Sequence, residues 1–181
     1  TETDEGNAER GITREEQDEI AARSHQLAEA ATNEGIFNDE IVSIEVKGRK
    51  ETVTVSADEG IRPGTTTEGL AKLRPAFVKD GTITAASSSQ ISDGAAAVVL
   101  TTRENAEAKG LEILATLGEY GQTAGPDTKL HSQPSQATAA ALKKAGWEAG
   151  DLDFLEINEA FASVVAQSIK DLDYPLEKTN I

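Results

Sequence analysis

Apolar residues first fall at helical spacing between residues 13 and 33. Ile20, Leu27, Ala28 and Ala31 share one face of a helix predicted from about Thr13 to Asn33. Thr13 and Glu16 stand three apart, as a capping box requires, each side chain satisfying a backbone N–H at the helix start. Gly35 supplies a left-handed stop. The period then changes from 3.6 to 2. Val42, Ile44 and Val46 alternate with Ser43, Glu45 and Lys47, and Thr52 to Ser56 alternate likewise around Val53 and Val55. Lys47-Gly48-Arg49-Lys50 between them predicts a hairpin tip.

The chain is turn-rich from Asp58 to Gly64, with Arg62 before Pro63. A short helix is predicted over Thr67 to Leu73. Irregular chain then passes Pro75, Phe77 and Gly81 to the small-residue run Ala85-Ala86-Ser87-Ser88-Ser89. The apolar run from Gly94 to Thr101 predicts a strand, and Thr102 caps a helix reaching about Lys109. Strands at Leu114–Tyr120 and Phe154–Ile157 alternate with helices from near Pro134 to Gly146 and from Glu159 to about Leu172. Pro134 fits a first helical turn, where its missing N–H costs nothing. Strand–helix–strand at this spacing implies a right-handed parallel crossover. The class is therefore α/β, and the change from loop-rich chain to compact strand and helix near residue 92 is the expected domain boundary.

Composition narrows the chemistry. With 38% hydrophobic and 4% aromatic residues, a core of this 181-residue chain is built from Ala, Val, Leu and Ile. The formal net charge is -15, and residues 1–40 alone hold twelve acidic and three basic side chains. A field of that sign repels phosphates, so neither nucleic acid nor an anionic membrane is an expected partner. Cysteine is absent, which excludes disulfides, thiolate nucleophiles and Cys-based zinc sites within these residues. No metal site is expected. No segment approaches the ~18 apolar residues of a membrane span, and cytoplasmic residence is compatible with all of this. With Thr at position 1 and no methionine anywhere, the sequence is expected to begin inside a longer chain.

Three features carry two readings each. The Lys47–Lys50 tip is either a charged loop that keeps a hairpin soluble or an electropositive edge facing a phosphorylated ligand. The small residues Ser87 to Gly94 form either an ordinary turn into a strand or a place where a ligand approaches the backbone closely. Asn158 follows a predicted strand and opens a predicted helix. It is either an N-cap, worth about 1 kcal/mol, or a strand-end amide aimed into a crevice at the edge of the sheet. His25 reads as a surface residue of the first helix. General signatures, including phosphate-binding loops, nucleophile elbows and paired zinc histidines, are absent.

At Asn158-Glu159-Ala160-Phe161-Ala162 the reading becomes specific: the sequence resembles a motif of the thiolase family. The resemblance extends along nearly the whole chain and in the right order. Gly11-Ile12-Thr13-Arg14-Glu15-Glu16-Gln17-Asp18 is similar to the family's loop-domain helix. Asp58-Glu59-Gly60-Ile61-Arg62 and Leu70-Ala71-Lys72-Leu73-Arg74-Pro75-Ala76-Phe77 match loop-domain segments, and Ile91-Ser92-Asp93-Gly94-Ala95-Ala96-Ala97 resembles the approach to a core strand. Ala124-Gly125-Pro126-Asp127 with Ser132-Gln133-Pro134 looks more like the acetyl-CoA acetyltransferase branch than the long-chain one.

The resemblance implies a partial thiolase-like α/β fold. Residues 1–91 would be part of the loop, coenzyme-A-binding domain. Residues 92–112 would be the last strand and helix of an N-terminal core domain, and 113–181 the first half of a C-terminal one. It implies acyl transfer between coenzyme A thioesters through a cysteine nucleophile, a second cysteine as acid/base, and a Gly-His-Pro histidine. Asn158 matches the Asn that holds an oxyanion-hole water. Arg62, Phe77, Ala85, Ser89 and Phe161 match positions lining the adenine and pantetheine path, whereas Gly69 stands where a coenzyme-A-contacting Ser is usual. A homo-oligomer using an acyl-CoA substrate, with no permanently bound cofactor, is the implied assembly. Both cysteines and the Gly-His-Pro motif are missing from these residues, so this chain by itself is expected to be inactive. The alternative is a non-catalytic coenzyme-A-binding or structural subunit that pairs with a chain carrying the cysteines.

Overall fold

The core forms where the sequence concentrates apolar residues with few charges, around Ala162–Leu172. A computed structural model describes residues 2–181. Six helices and one hairpin follow one another: α1 (Glu2–Arg10), α2 (Arg14–Asn33), β1 (Ile44–Lys47), β2 (Thr52–Val55), α3 (Thr67–Leu70), α4 (Arg103–Ala108), α5 (Gln133–Ala145) and α6 (Ala162–Leu172). Single 3-10 turns lie at Ala149–Asp151 and Leu176–Lys178. In class this is α/β, helices accompanied by a small antiparallel sheet. α6 buries Ala162, Val164, Val165 and Ala166 against Ile12, Ile20 and Ile157. Each fully buried Val contributes about 1.5–3 kcal/mol. α2 and α5 pack on α6, and α3 packs on α2.

Several local expectations hold because they rest on local chemistry. The Thr13–Glu16 capping box is formed in both directions. Gly35 sits at φ 75° beyond the end of α2, and Ile36 N–H donates to the Ala31 carbonyl as a left-handed stop requires. β1 and β2 pair antiparallel with Ile44 opposite Val55 and Val46 opposite Val53. The Thr102 side chain caps α4, Pro134 lies in the first turn of α5, and Gly146 ends α5 at φ 70°.

Other expectations are corrected. α1 was not predicted, because Gly6 and Asn7 are poor helix formers. Its support is tertiary: Asp4 Oδ1 accepts from the N–H groups of Thr82 (2.8 Å) and Ile83 (3.2 Å). Leu27, assigned to the buried face of α2, is 36% exposed. α3 ends at Leu70, and α6 starts at Ala162 rather than Glu159. The segments 94–101 and 114–120 form no strand ladder among the described residues. A strand is completed by hydrogen bonds to a neighbour, and no described segment pairs with either one. Val98, Val99 and Leu100 are accordingly 81%, 91% and 72% exposed. Near residues 154–157 the pairing is a single parallel bridge, Leu155 with Thr179. The expected parallel crossover between 114–120 and 154–157 is not closed.

His131 ties α1 to the loop before α5. It is fully buried, its Nε2 lies 2.8 Å from Asn7 Oδ1, and a Cβ added at Gly6 would lie 2.3 Å from its ring. Asn7 Nδ2 already donates to Gln17 Oε1 and Thr82 Oγ1, so its Oδ1 is the acceptor and His131 Nε2–H the donor. Burial lowers the His131 pKa, helped by the charges of Arg10 and Lys129. Lowering means the unfolded chain takes up this proton first. Stability is therefore fully present above the ordinary histidine value of about 6.5 and is lost as pH falls through the folded value. The melting temperature should fall as pH is taken below about 6.5. His131→Gln should flatten that slope, and an unchanged slope would remove His131 as its cause.

Candidate functional site

The site begins with a loop that holds itself. Thr84 N–H donates to Ser87 Oγ (2.9 Å), Ser87 N–H to Thr84 Oγ1 (3.3 Å), and Ser88 Oγ to the Thr84 carbonyl (2.9 Å). Hydroxyls thus replace the ladder bonds that this small-residue segment lacks. The loop is then stitched to the segment before α6. Ser88 and Phe161 form an antiparallel bridge, Ala162 N–H donates to the Ser87 carbonyl (2.9 Å), and Ser89 N–H to the Ala160 carbonyl (3.2 Å). Residues 73 positions apart in sequence become neighbours through backbone bonds alone. Phe77 meets Phe161 edge to face, with ring centres 6.3 Å apart and planes at 78°.

These segments wall an open cleft of about 1070 Å³, closed on the other side by α2 and the 58–65 loop. Arg62, Phe77, Ala85, Ser89 and Asn158 all line it, and Phe161 backs it through Phe77. Five of the six residues singled out in the sequence therefore face one cavity, and the sixth packs on one of them. Asn158 is not a helix cap. The N-cap of α6 is Phe161, in extended backbone (φ -144°, ψ 147°), where the bridge to Ser88 holds it, and a tight turn, Ala160 N–H to the Asn158 carbonyl (2.9 Å), separates it from Asn158. Asn158 is exposed, and no hydrogen bond engages its side-chain amide among the described residues. The small-residue run is at once a turn and part of the cleft wall, and it leads into no strand.

At the loop end, Arg62 Nη1 donates to the Glu59 carbonyl (2.6 Å), and among the described residues no carboxylate forms an ion pair with it. Asp58 Oδ1 accepts from Gly60 N–H (2.7 Å), which shapes the turn. His25 was assigned to plain surface, yet it lines the cleft, and its Nδ1 accepts from Arg62 N–H (3.3 Å). Its position on α2, three residues before Ala28 of the predicted buried face, was the available signal. The Lys47–Lys50 tip is exposed and is not part of the cleft wall. A second, smaller hollow of about 670 Å³ lies between 117–119, α5 and 152–156, with Trp147 and Phe154 at its rim.

Residues 2–104 match the family model for the N-terminal domain of thiolase, and residues 111–181 match that for the C-terminal domain. The chain belongs to the thiolase family. It is 49% identical over 180 residues to a probable acetyl-CoA acetyltransferase of Mycolicibacterium smegmatis, covering 99% of this chain and 46% of that protein. It is 50% identical over 184 residues to the peroxisomal 3-ketoacyl-CoA thiolase of Homo sapiens, covering 98% of this chain and 43% of that protein. The crystal structure of the dimeric peroxisomal thiolase of Saccharomyces cerevisiae superposes with a TM-score of 0.91 at 38% identity, over 99% of this chain and 45% of that one. This thiolase chain thus spans less than half the length of the relatives it matches. Near-equal identity to an acetyltransferase and a 3-ketoacyl-CoA thiolase does not divide the two branches.

Proposed function

We propose that this chain is the coenzyme-A-binding and oxyanion-stabilising segment of a longer thiolase that transfers acyl groups between coenzyme A thioesters. The observation that carries the reading is the cleft itself, which gathers the unengaged amide of Asn158, the Ser87–Ser89 loop and the unpaired Arg62 on one wall-to-wall surface. In this reading Arg62 meets the phosphates of coenzyme A. Phe77 and Phe161 flank the pantetheine arm. Ala85 leaves room for that arm, and the exposed Ser89 offers it a hydroxyl. Asn158 holds the donor, direct or through water, for the negative charge that develops on the thioester oxygen. Such a donor counts most in a site shielded from bulk water. Coenzyme A is substrate here and not a resident group. The domain limits at residues 91 and 112 belong to the same proposal.

Assembly and compartment follow as proposals too. The similarity to a yeast thiolase described as dimeric supports a homo-oligomer. No helix among the described residues is long and apolar enough to cross a membrane. We take the enzyme as cytoplasmic, and since the human relative is peroxisomal, cell fractionation is the measurement that decides the compartment.

The test of the reaction is thiolysis of acetoacetyl-CoA by the full-length protein, followed through the loss of enolate absorbance as coenzyme A is varied. Absence of turnover in a well-folded full-length protein would overturn the proposal. Within that assay Arg62→Ala should raise KM for coenzyme A by roughly 3- to 10-fold with kcat little changed. A phosphate contact exists in ground and transition states alike, so it is uniform binding. The wild-type KM should also climb more steeply with ionic strength than that of the variant. Equal KM and equal salt dependence would return Arg62 to ordinary surface charge.

A further inference from the structure

The side chain of Asn180 is committed to the peptide next to Asn158. Its Oδ1 accepts from Ile157 N–H at 2.7 Å. Its Nδ2 donates to the Ile157 carbonyl at 2.9 Å and to Glu159 Oε1 at 2.7 Å. One planar amide therefore satisfies both backbone groups of the residue before Asn158 and anchors the side chain of the residue after it. A carboxamide carries an acceptor and a donor side by side and so matches the N–H and C=O of one residue. Asn180 itself stands at φ 49°, a left-handed conformation that Asn tolerates better than most side chains.

The clasp is fixed from behind. Asn180 N–H donates to the Leu155 carbonyl and Leu155 N–H to the Lys178 carbonyl, both at 2.9 Å. From α2, the Arg23 guanidinium donates to the carbonyls of Thr179 (2.8 Å) and Asn180 (3.1 Å). α2 also forms a wall of the cleft. The helix beside the ligand space and the segment that carries Asn158 are thus linked through Arg23 and Asn180. Asn158 is the residue in this stretch whose own side chain takes no protein partner.

We propose that Asn180 is a positioning residue for Asn158: it locks the 157–159 backbone so that the Asn158 amide is presented to the cleft in one orientation. This rests on the reading of Asn158 as an oxyanion-hole member. Preorganised donors lose much of their effect when displaced by a fraction of an ångström. Removing the clasp therefore weakens transition-state stabilisation while leaving ground-state binding of coenzyme A, made by other parts of the cleft, in place.

The test uses the full-length protein with Asn180→Gly, Asn158→Asp and the double variant, each checked by thermal unfolding. Glycine keeps the left-handed backbone and deletes only the clasp. Asn180→Gly should lower kcat by about tenfold with both KM values within about twofold. In the Asn158→Asp background the same change should cost less than about twofold, because the group it positions is gone. The same fold loss in both backgrounds would show a general structural role and overturn the inference. So would a kcat within about twofold of wild type for Asn180→Gly, while Asn158→Asp still loses rate, and the reading of Asn158 would then survive. A near-native kcat for Asn158→Asp would overturn the reading of Asn158 itself, and this inference with it. If the glycine variant does not fold, Asn180→Asp, which keeps the acceptor and loses both donors, gives the same comparison.

Discussion

Asn158→Asp in the full-length thiolase is expected to fold as the wild type does and to lose about 10²–10³ in kcat, the scale of other oxyanion-donor removals. The substitution is nearly isosteric, and the structure gives Asn158 no capping role for Asp to take over. A capping Asn can be replaced by Asp at almost no cost, but α6 is capped at Phe161, three residues later, so no helix term enters at all. What changes is the chemistry offered to the cleft: the amide donor disappears and a carboxylate takes its place. Negative charge would then face negative charge as it develops on the thioester oxygen. Thermal unfolding should be recorded beside the kinetics, since a loosened 157–159 segment would reduce rate for a different reason. A well-folded variant with near-native kcat would falsify the oxyanion role.

What the sequence makes legible is what short-range chemistry decides. The Thr13 capping box, the β1–β2 pairing and the bounds of α5 depend on residues within a few positions of one another, and each forms, although β1 starts at Ile44 and leaves Val42 outside it. α1 was illegible because its stability comes from afar, from Thr82, Ile83 and His131. Its Gly6 looks like a defect until the close approach of the His131 ring explains it. The run Gly94–Thr101 misled in the opposite direction. A stretch apolar on both faces describes a strand covered on both sides, but hydrophobic pattern alone does not supply the neighbour whose hydrogen bonds make it a strand.

The site shows the same division. Arg62, Phe77, Ala85, Ser89, Asn158 and Phe161 were found through motif resemblance, and their convergence depends on the Ser87–Ser89 loop pairing with 160–162, which no local period announces. His25 and Asn180 were missed because their roles are hydrogen bonds to distant backbone. Asn158 carried two readings from the sequence, and the helix start at Phe161 removes the cap.

The 181-residue chain itself should show no thiolysis of acetoacetyl-CoA. Turnover in the family runs, as the resemblance implies, through a cysteine nucleophile and a second cysteine, and this chain contains none. An oxyanion donor stabilises only charge that a nucleophile has first created. The cleft does contain hydroxyls, so substitution by serine has to be weighed. Ser87 Oγ and Ser88 Oγ are both tied to Thr84, and a hydroxyl attacks a thioester only with a base beside it. Neither histidine is placed for that. His25 Nδ1 accepts from the Arg62 backbone, and His131 is buried with Asn7 beneath α1. Chain purified from a host lacking its own thiolases should therefore give no rate above buffer, under conditions where the full-length enzyme turns over. Turnover that persists after that precaution, and is abolished by Ser89→Ala, would mean that a hydroxyl in this cleft does the work assigned to cysteine.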